Sequence, residues 1–92
     1  MWRVEGTRRV AKQLDQYDRE TRRQYDRAFE RLARTPEAGK PLAGYENLRS
    51  FPVTAPGGEH RVLYRLKPEA KVVLVVLVGT REEVYRLLSR SG

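Results

Sequence analysis

Arg61-Val62-Leu63-Tyr64-Arg65-Leu66, the turn Lys67-Pro68-Glu69-Ala70, and the apolar run Val72-Val73-Leu74-Val75-Val76-Leu77-Val78 lead into Gly79-Thr80-Arg81-Glu82-Glu83-Val84-Tyr85. The first piece alternates: Val62, Tyr64 and Leu66 share one face, Arg61, Leu63 and Arg65 the other. That is the period of a strand. The valine-rich run is apolar on both faces, which marks a central strand covered on each side. A proline-containing turn joins the two, so they pair as an antiparallel hairpin. After Gly79, the stretch Glu82 to Arg90 presents Val84, Leu87 and Leu88 at helical spacing, with two acids in the first turn where the macrodipole favours them.

Upstream of the hairpin, Leu48 to Thr54 reads as a third strand, with Phe51 and Val53 on its core face and Pro56-Gly57-Gly58 closing the loop to Arg61. Pro52 cannot donate to a ladder, which puts this strand at a sheet edge or gives it a bulge. Residues 35–47 contain Pro36, Gly39, Pro41, Gly44 and Asn47 and read as a crossing loop anchored by Leu42 and Tyr45. Further upstream, Thr7 is an N-cap for a helix with Val10, Ala11, Leu14 and Tyr17 on one stripe. Asp18 restarts a helix that buries Tyr25, Ala28, Phe29, Leu32 and Ala33 and stops before Pro36. Trp2 and Val4 alternate with Arg3 and Glu5 in a short opening strand. The order β-α-α-β-β-β-α predicts one α+β domain over residues 1–92: an antiparallel sheet packed against an N-terminal helical pair, with a short C-terminal helix.

Composition narrows the function. There is no cysteine and one histidine, His60, so disulfides, thiolate catalysis and clustered His metal sites are excluded, and neither a metal nor another cofactor is expected. Alternation sets His60 on the face opposite Arg61, as a hairpin residue. The longest apolar run is seven residues, far short of a membrane span, which implies a cytoplasmic protein without a membrane partner. The net charge of +7, with 15 Arg against 4 Lys, favours a polyanionic or acidic partner. Arg19, Arg23, Arg27 and Arg31 recur every four residues opposite the apolar stripe of their helix, either as a solvated face or as a ridge docking on an RNA backbone.

The chain resembles the RelE/ParE toxins of bacterial toxin–antitoxin modules. The resemblance is carried by the helical pair, Pro41-Leu42-Ala43-Gly44, Leu48-Arg49-Ser50-Phe51-Pro52-Val53, Arg61-Val62-Leu63-Tyr64-Arg65, the valine-rich strand and Val78-Gly79-Thr80-Arg81-Glu82-Glu83-Val84-Tyr85-Arg86. It implies a microbial-ribonuclease-like fold and, in the RelE branch, ribosome-dependent endonucleolytic cleavage of mRNA that inhibits translation. In the ParE branch it implies inhibition of DNA gyrase with no chemistry of its own. Either activity would be held in check by a cognate antitoxin, and an inactive RNA-binding member is a third possibility. The family's catalytic arginines correspond to Arg61 and Arg81, and its tyrosine to Tyr85 after a gap of about two residues. Its two strand lysines fall on Ser50 and Pro52.

Arginine suits phosphate because its planar fork is always charged and binds in bidentate fashion. Arg61 and Arg81 are therefore expected to clamp the scissile phosphate. Tyr85 is expected to transfer a proton or to stack on a base. Arg49, Ser50, Arg65, Arg23, Arg27 and Arg31 are expected RNA contacts. An antitoxin would dock on the edge strand or the C-terminal helix, covering Arg61 and Arg81 or displacing residues 82–90.

Overall fold

A computed structural model describes residues 1–91. Strand β1 (Arg3–Gly6) is followed by helices α1 (Arg8–Asp15) and α2 (Arg19–Arg34), and a two-residue strand β2 (Lys40–Pro41) lies in the crossing loop. Then come β3 (Arg49–Ala55), β4 (Gly58–Lys67), β5 (Val72–Thr80) and α3 (Arg81–Ser91). Both expected caps form: the Thr7 hydroxyl accepts from the Val10 N–H at 3.2 Å, and the Asp18 carboxylate accepts from the Thr21 N–H at 2.9 Å. The start of α3 is a capping box. The Thr80 N–H donates to Glu83 Oε1 at 3.0 Å and the Glu83 N–H donates to the Thr80 hydroxyl at 3.2 Å. This box carries β5 one residue past Gly79 and starts the helix at Arg81, a residue earlier than its apolar spacing alone predicts.

The sheet runs β1-β5-β4-β3-β2. The meander β3-β4-β5 is antiparallel as expected, and β1 adds a parallel pair with β5, so the sheet as a whole is mixed. The helices carry the chain from β1 across to β2 and β3 at the other margin, and the meander then works back to β5, which lies between β4 and β1 and leaves the valine-rich run internal. Pro52 sits in the part of β3 that β2 does not cover, since β2 reaches only Arg49 and Ser50. It is an edge proline, as its missing N–H requires.

Two apolar layers lie on either side. One packs α1 and α2 onto the sheet through Val10, Leu14, Tyr25, Leu32, Val62, Tyr64, Val73 and Val75. The other seats α3 through Leu48, Leu63, Leu77 and Val84. A bulge feeds the second layer: Leu63 pairs with Leu77 and Tyr64 with Val75, so Val76 has no partner and joins Leu77 on the α3 side. Of the two loop anchors, Leu42 packs in this layer, whereas Tyr45 is 38 % exposed and belongs to neither apolar cluster. His60 is a buried strand residue, not a hairpin residue. It lies opposite Val53 on the helix side, and its Nδ1 shares a 2.7 Å hydrogen bond with the Tyr25 hydroxyl.

Candidate functional site

On the α3 side of the sheet an open groove of ≈ 580 Å³ is walled by Lys40 of β2, Ser50 and Pro52 of β3, Glu59 and Arg61 of β4, and Tyr85 of α3. Strand alternation sends Glu59 and Arg61 to the same face as Leu63, towards α3. Arg61 lies opposite Pro52 on one neighbour and Gly79 on the other. A Cβ on Gly79 would meet Glu83 and Val84 of α3 at 3.4 and 3.6 Å, so the glycine lets α3 start close against the sheet. Only 21 % of the Arg61 side chain is exposed; its Nη2 reaches Glu59 Oε1 at 2.9 Å. Its Nε is buried and has no hydrogen-bond partner.

Of the three expected catalytic residues, two therefore share one groove. Tyr85 packs beside the Leu48–Leu63–Leu77–Val84 layer and lines the groove with Arg61. Arg81 is exposed, forms no ion pair among the described residues, and is not part of the groove wall. It stands at the first position of α3, two residues past Gly79, the partner of Arg61 across the ladder.

The expected RNA contacts divide into three groups. Ser50 lines the groove, 6 % exposed, with its hydroxyl unpartnered. Arg49 and Arg65 are committed to loop carbonyls: Arg49 Nη1 donates to Gly39 O at 2.8 Å, and Arg65 Nη1 donates to Glu46 O at 3.1 Å. Arg27 and Arg31 line a second groove of ≈ 340 Å³ between α2 and β3, which shares Phe51 and Pro52 with the first. Arg23 lines neither groove and lies 3.6 Å from Glu20.

Two groove residues escape sequence reasoning. Glu59 was within reach of it, being two residues before Arg61 on an alternating strand. Lys40 was not. Its position depends on a two-residue strand whose register, Lys40 opposite Ser50, has no local signature.

On the opposite face a titratable cluster is built into the core. The Tyr17 ring stacks on Tyr25 at 5.4 Å, and both meet His60 edge-on. Burial pushes the Tyr25 and Tyr17 hydroxyls upward and lowers His60 from its ordinary range. The hydrogen bonds from Thr80 hold Glu83 below the usual carboxylate range. This cluster braces the helical pair against the β4–β5 end that carries Arg61.

The family model of the ParE toxin of type II toxin–antitoxin systems, parDE, matches residues 4–85. Among solved structures, the chain is similar to an arginine double mutant of Escherichia coli toxin RelE in the free state. The identity is 25%, the TM-score 0.75, and the match covers 92% of this chain and 90% of that one. The RelBE2 toxin–antitoxin complex from Mycobacterium tuberculosis matches at 28% identity and TM-score 0.70, covering 87% of this chain and 91% of that one. The archaeal RelE–RelB complex from Pyrococcus horikoshii matches at 21% identity and TM-score 0.67, over 87% of this chain and 94% of that one. No curated protein gives a sequence match. Among the described residues, no helix is long and apolar enough to cross a membrane.

Proposed function

The chain belongs to the ParE toxin family of type II toxin–antitoxin systems, within the RelE/ParE superfamily, and from that premise we propose that it cuts mRNA on the ribosome. One observation carries the reading. A single open groove combines a largely buried guanidinium that has an unspent Nε–H with a carboxylate and a phenol.

Cleavage by the neighbouring 2′-hydroxyl forms an O2′–P bond and breaks P–O5′, leaving a 2′,3′-cyclic phosphate and a 5′-hydroxyl. Three tasks follow, and groove residues suit each. Glu59 takes the 2′-hydroxyl proton. Arg61 orients that carboxylate through one nitrogen and offers its remaining donors to the phosphate oxygens as charge builds, an interaction whose loss raises a barrier by about 3–4 kcal/mol. Tyr85 gives its proton to the departing O5′. Arg81, at the helix start beside this groove, holds an adjacent phosphate. Arg27 and Arg31 extend the basic surface past Pro52 along the same strand of RNA.

The proposed regulator is a cognate antitoxin, as in the M. tuberculosis and P. horikoshii complexes, and a net charge of +7 would steer an acidic segment towards this domain. The toxin would act in the cytoplasm, where its target lies. Expression of the chain in bacteria tests the reading. The expected result is rapid arrest of translation with breaks in ribosome-bound transcripts, lost in an Arg61→Ala variant that thermal unfolding shows to be still folded. Filamentation and DNA damage with intact transcripts would overturn it in favour of a gyrase target.

A further inference from the structure

We infer that Lys40 and Ser50, with Arg61, form an anion subsite in the groove, with Lys40 as its exposed cation. Naming the anion as an RNA phosphodiester rests on the nuclease reading above; the subsite itself rests on geometry.

Lys40 and Ser50 are directly paired across β2 and β3. In an antiparallel pair, facing residues project to the same side with Cβ atoms about 4.5–5.5 Å apart. Both line the groove. Lys40 is exposed and forms no ion pair among the described residues, so its charge is available to a ligand.

The wall beneath it is unfinished. Ser50 Oγ and Arg61 Nε are both buried without a partner. A buried donor left unpaired is costly, and a slight opening of the wall that let a ligand's acceptor oxygens reach it would remove that cost. The charged groups of the groove wall are Lys40, Arg61 and one carboxylate, Glu59, so an anion is favoured there.

The backbone that carries Lys40 is also held in register from one side. Gly39, next to Lys40, donates its N–H to the Tyr64 hydroxyl at 2.8 Å, and its carbonyl accepts from Arg49 at 2.8 Å. A Cβ on Gly39 would fall 2.6 Å from that hydroxyl and 3.0 Å from Ser50 O, so the backbone here packs too closely for any other residue. Arg49, expected to touch RNA, instead fixes the lysine that does. A two-residue strand thus delivers a cation to the groove.

The test is titration of the whole chain with a 2′-O-methyl trinucleotide, which cannot be cleaved, followed by NMR or fluorescence anisotropy at several salt concentrations. Lys40→Met should weaken binding about 5-fold and reduce the slope of log K against log salt by roughly 0.7, the value for one phosphate contact on a single strand. Lys40→Arg should restore both. Ser50→Ala should weaken binding with no loss of thermal stability, since its hydroxyl has no partner to lose. Parent-like affinity and salt slope in Lys40→Met would overturn the subsite, even if the chain cuts mRNA. A Lys40-dependent affinity in a chain that leaves transcripts intact would uphold the subsite and refute the nuclease reading.

Discussion

Tyr64→Phe isolates the device that holds the groove's β2 wall. Tyr64 is fully buried, and its hydroxyl both accepts from the Gly39 N–H at 2.8 Å and donates to Pro36 O at 2.7 Å. Phenylalanine keeps the ring and its packing but abandons both backbone groups. Gly39 is buried, so its N–H bears a desolvation penalty of about 1–3 kcal/mol; the Pro36 carbonyl, only partly buried, regains water and loses about 1 kcal/mol. The expected loss is about 2–4 kcal/mol, a fall in Tm on the order of 10–20 °C for a domain of this size. Urea denaturation at fixed pH measures it, with an unchanged m-value expected. At a temperature where the variant is still folded, trinucleotide binding should weaken as it does in Lys40→Met, because the segment carrying Lys40 has lost one of its grips. Because Arg49 holds the same glycine from its carbonyl side, Tyr64→Phe and Arg49→Ala should couple by at least about 0.5 kcal/mol in a double-mutant cycle. A Tyr64→Phe protein within about 0.5 kcal/mol of the parent would refute the reasoning, because the loop would then be held by something other than this hydroxyl.

Burial lowers His60 below its ordinary 6.5, with Glu83 opposing, so the unfolded chain takes up this proton at a higher pH than the folded one. The resulting stability is complete above pH 6.5 and is lost as pH falls through the lower folded value. Urea midpoints should therefore decline from pH 6.5 downward, and His60→Gln should flatten that limb; a parent midpoint constant across this range would contradict the assignment. On the surface, Arg27→Glu with Arg31→Glu should weaken ribosome co-sedimentation and reduce its salt dependence. Arg23→Glu, which removes a residue outside both grooves, should leave them nearly unchanged.

The valine-rich run identified the centre of the sheet because it has no polar face, and Thr7 and Asp18 marked two helix starts because their side chains complete local hydrogen bonds. Pro52 announced an edge for the same local reason. What the sequence hid was long-range register. The parallel placement of β1 depends on a crossover that periodicity does not encode, and the bulge at Val76 is invisible in a run where every residue is apolar. Within the site, alternation set Arg61 and His60 on opposite faces, and the family resemblance, rather than spacing, put Tyr85 with Arg61. Arg49 read as a free cation because its partners are backbone carbonyls of the 37–39 loop, and carbonyls leave no mark in a sequence. Lys40 was passed over because it sits among loop residues, and only its pairing with Ser50 gives it a role.

The edge proline has a consequence for life in a crowded cell. A sheet margin attracts further strands when its amide groups point outward in an unbroken row, and copies of one chain are the nearest supply of such strands. In the uncovered part of β3, from Phe51 to Ala55, that row is interrupted at Pro52. A second molecule laid along it would meet a missing donor at the second position, followed by the basic wall of α2. Stacking of copies edge to edge is thereby disfavoured by the backbone itself.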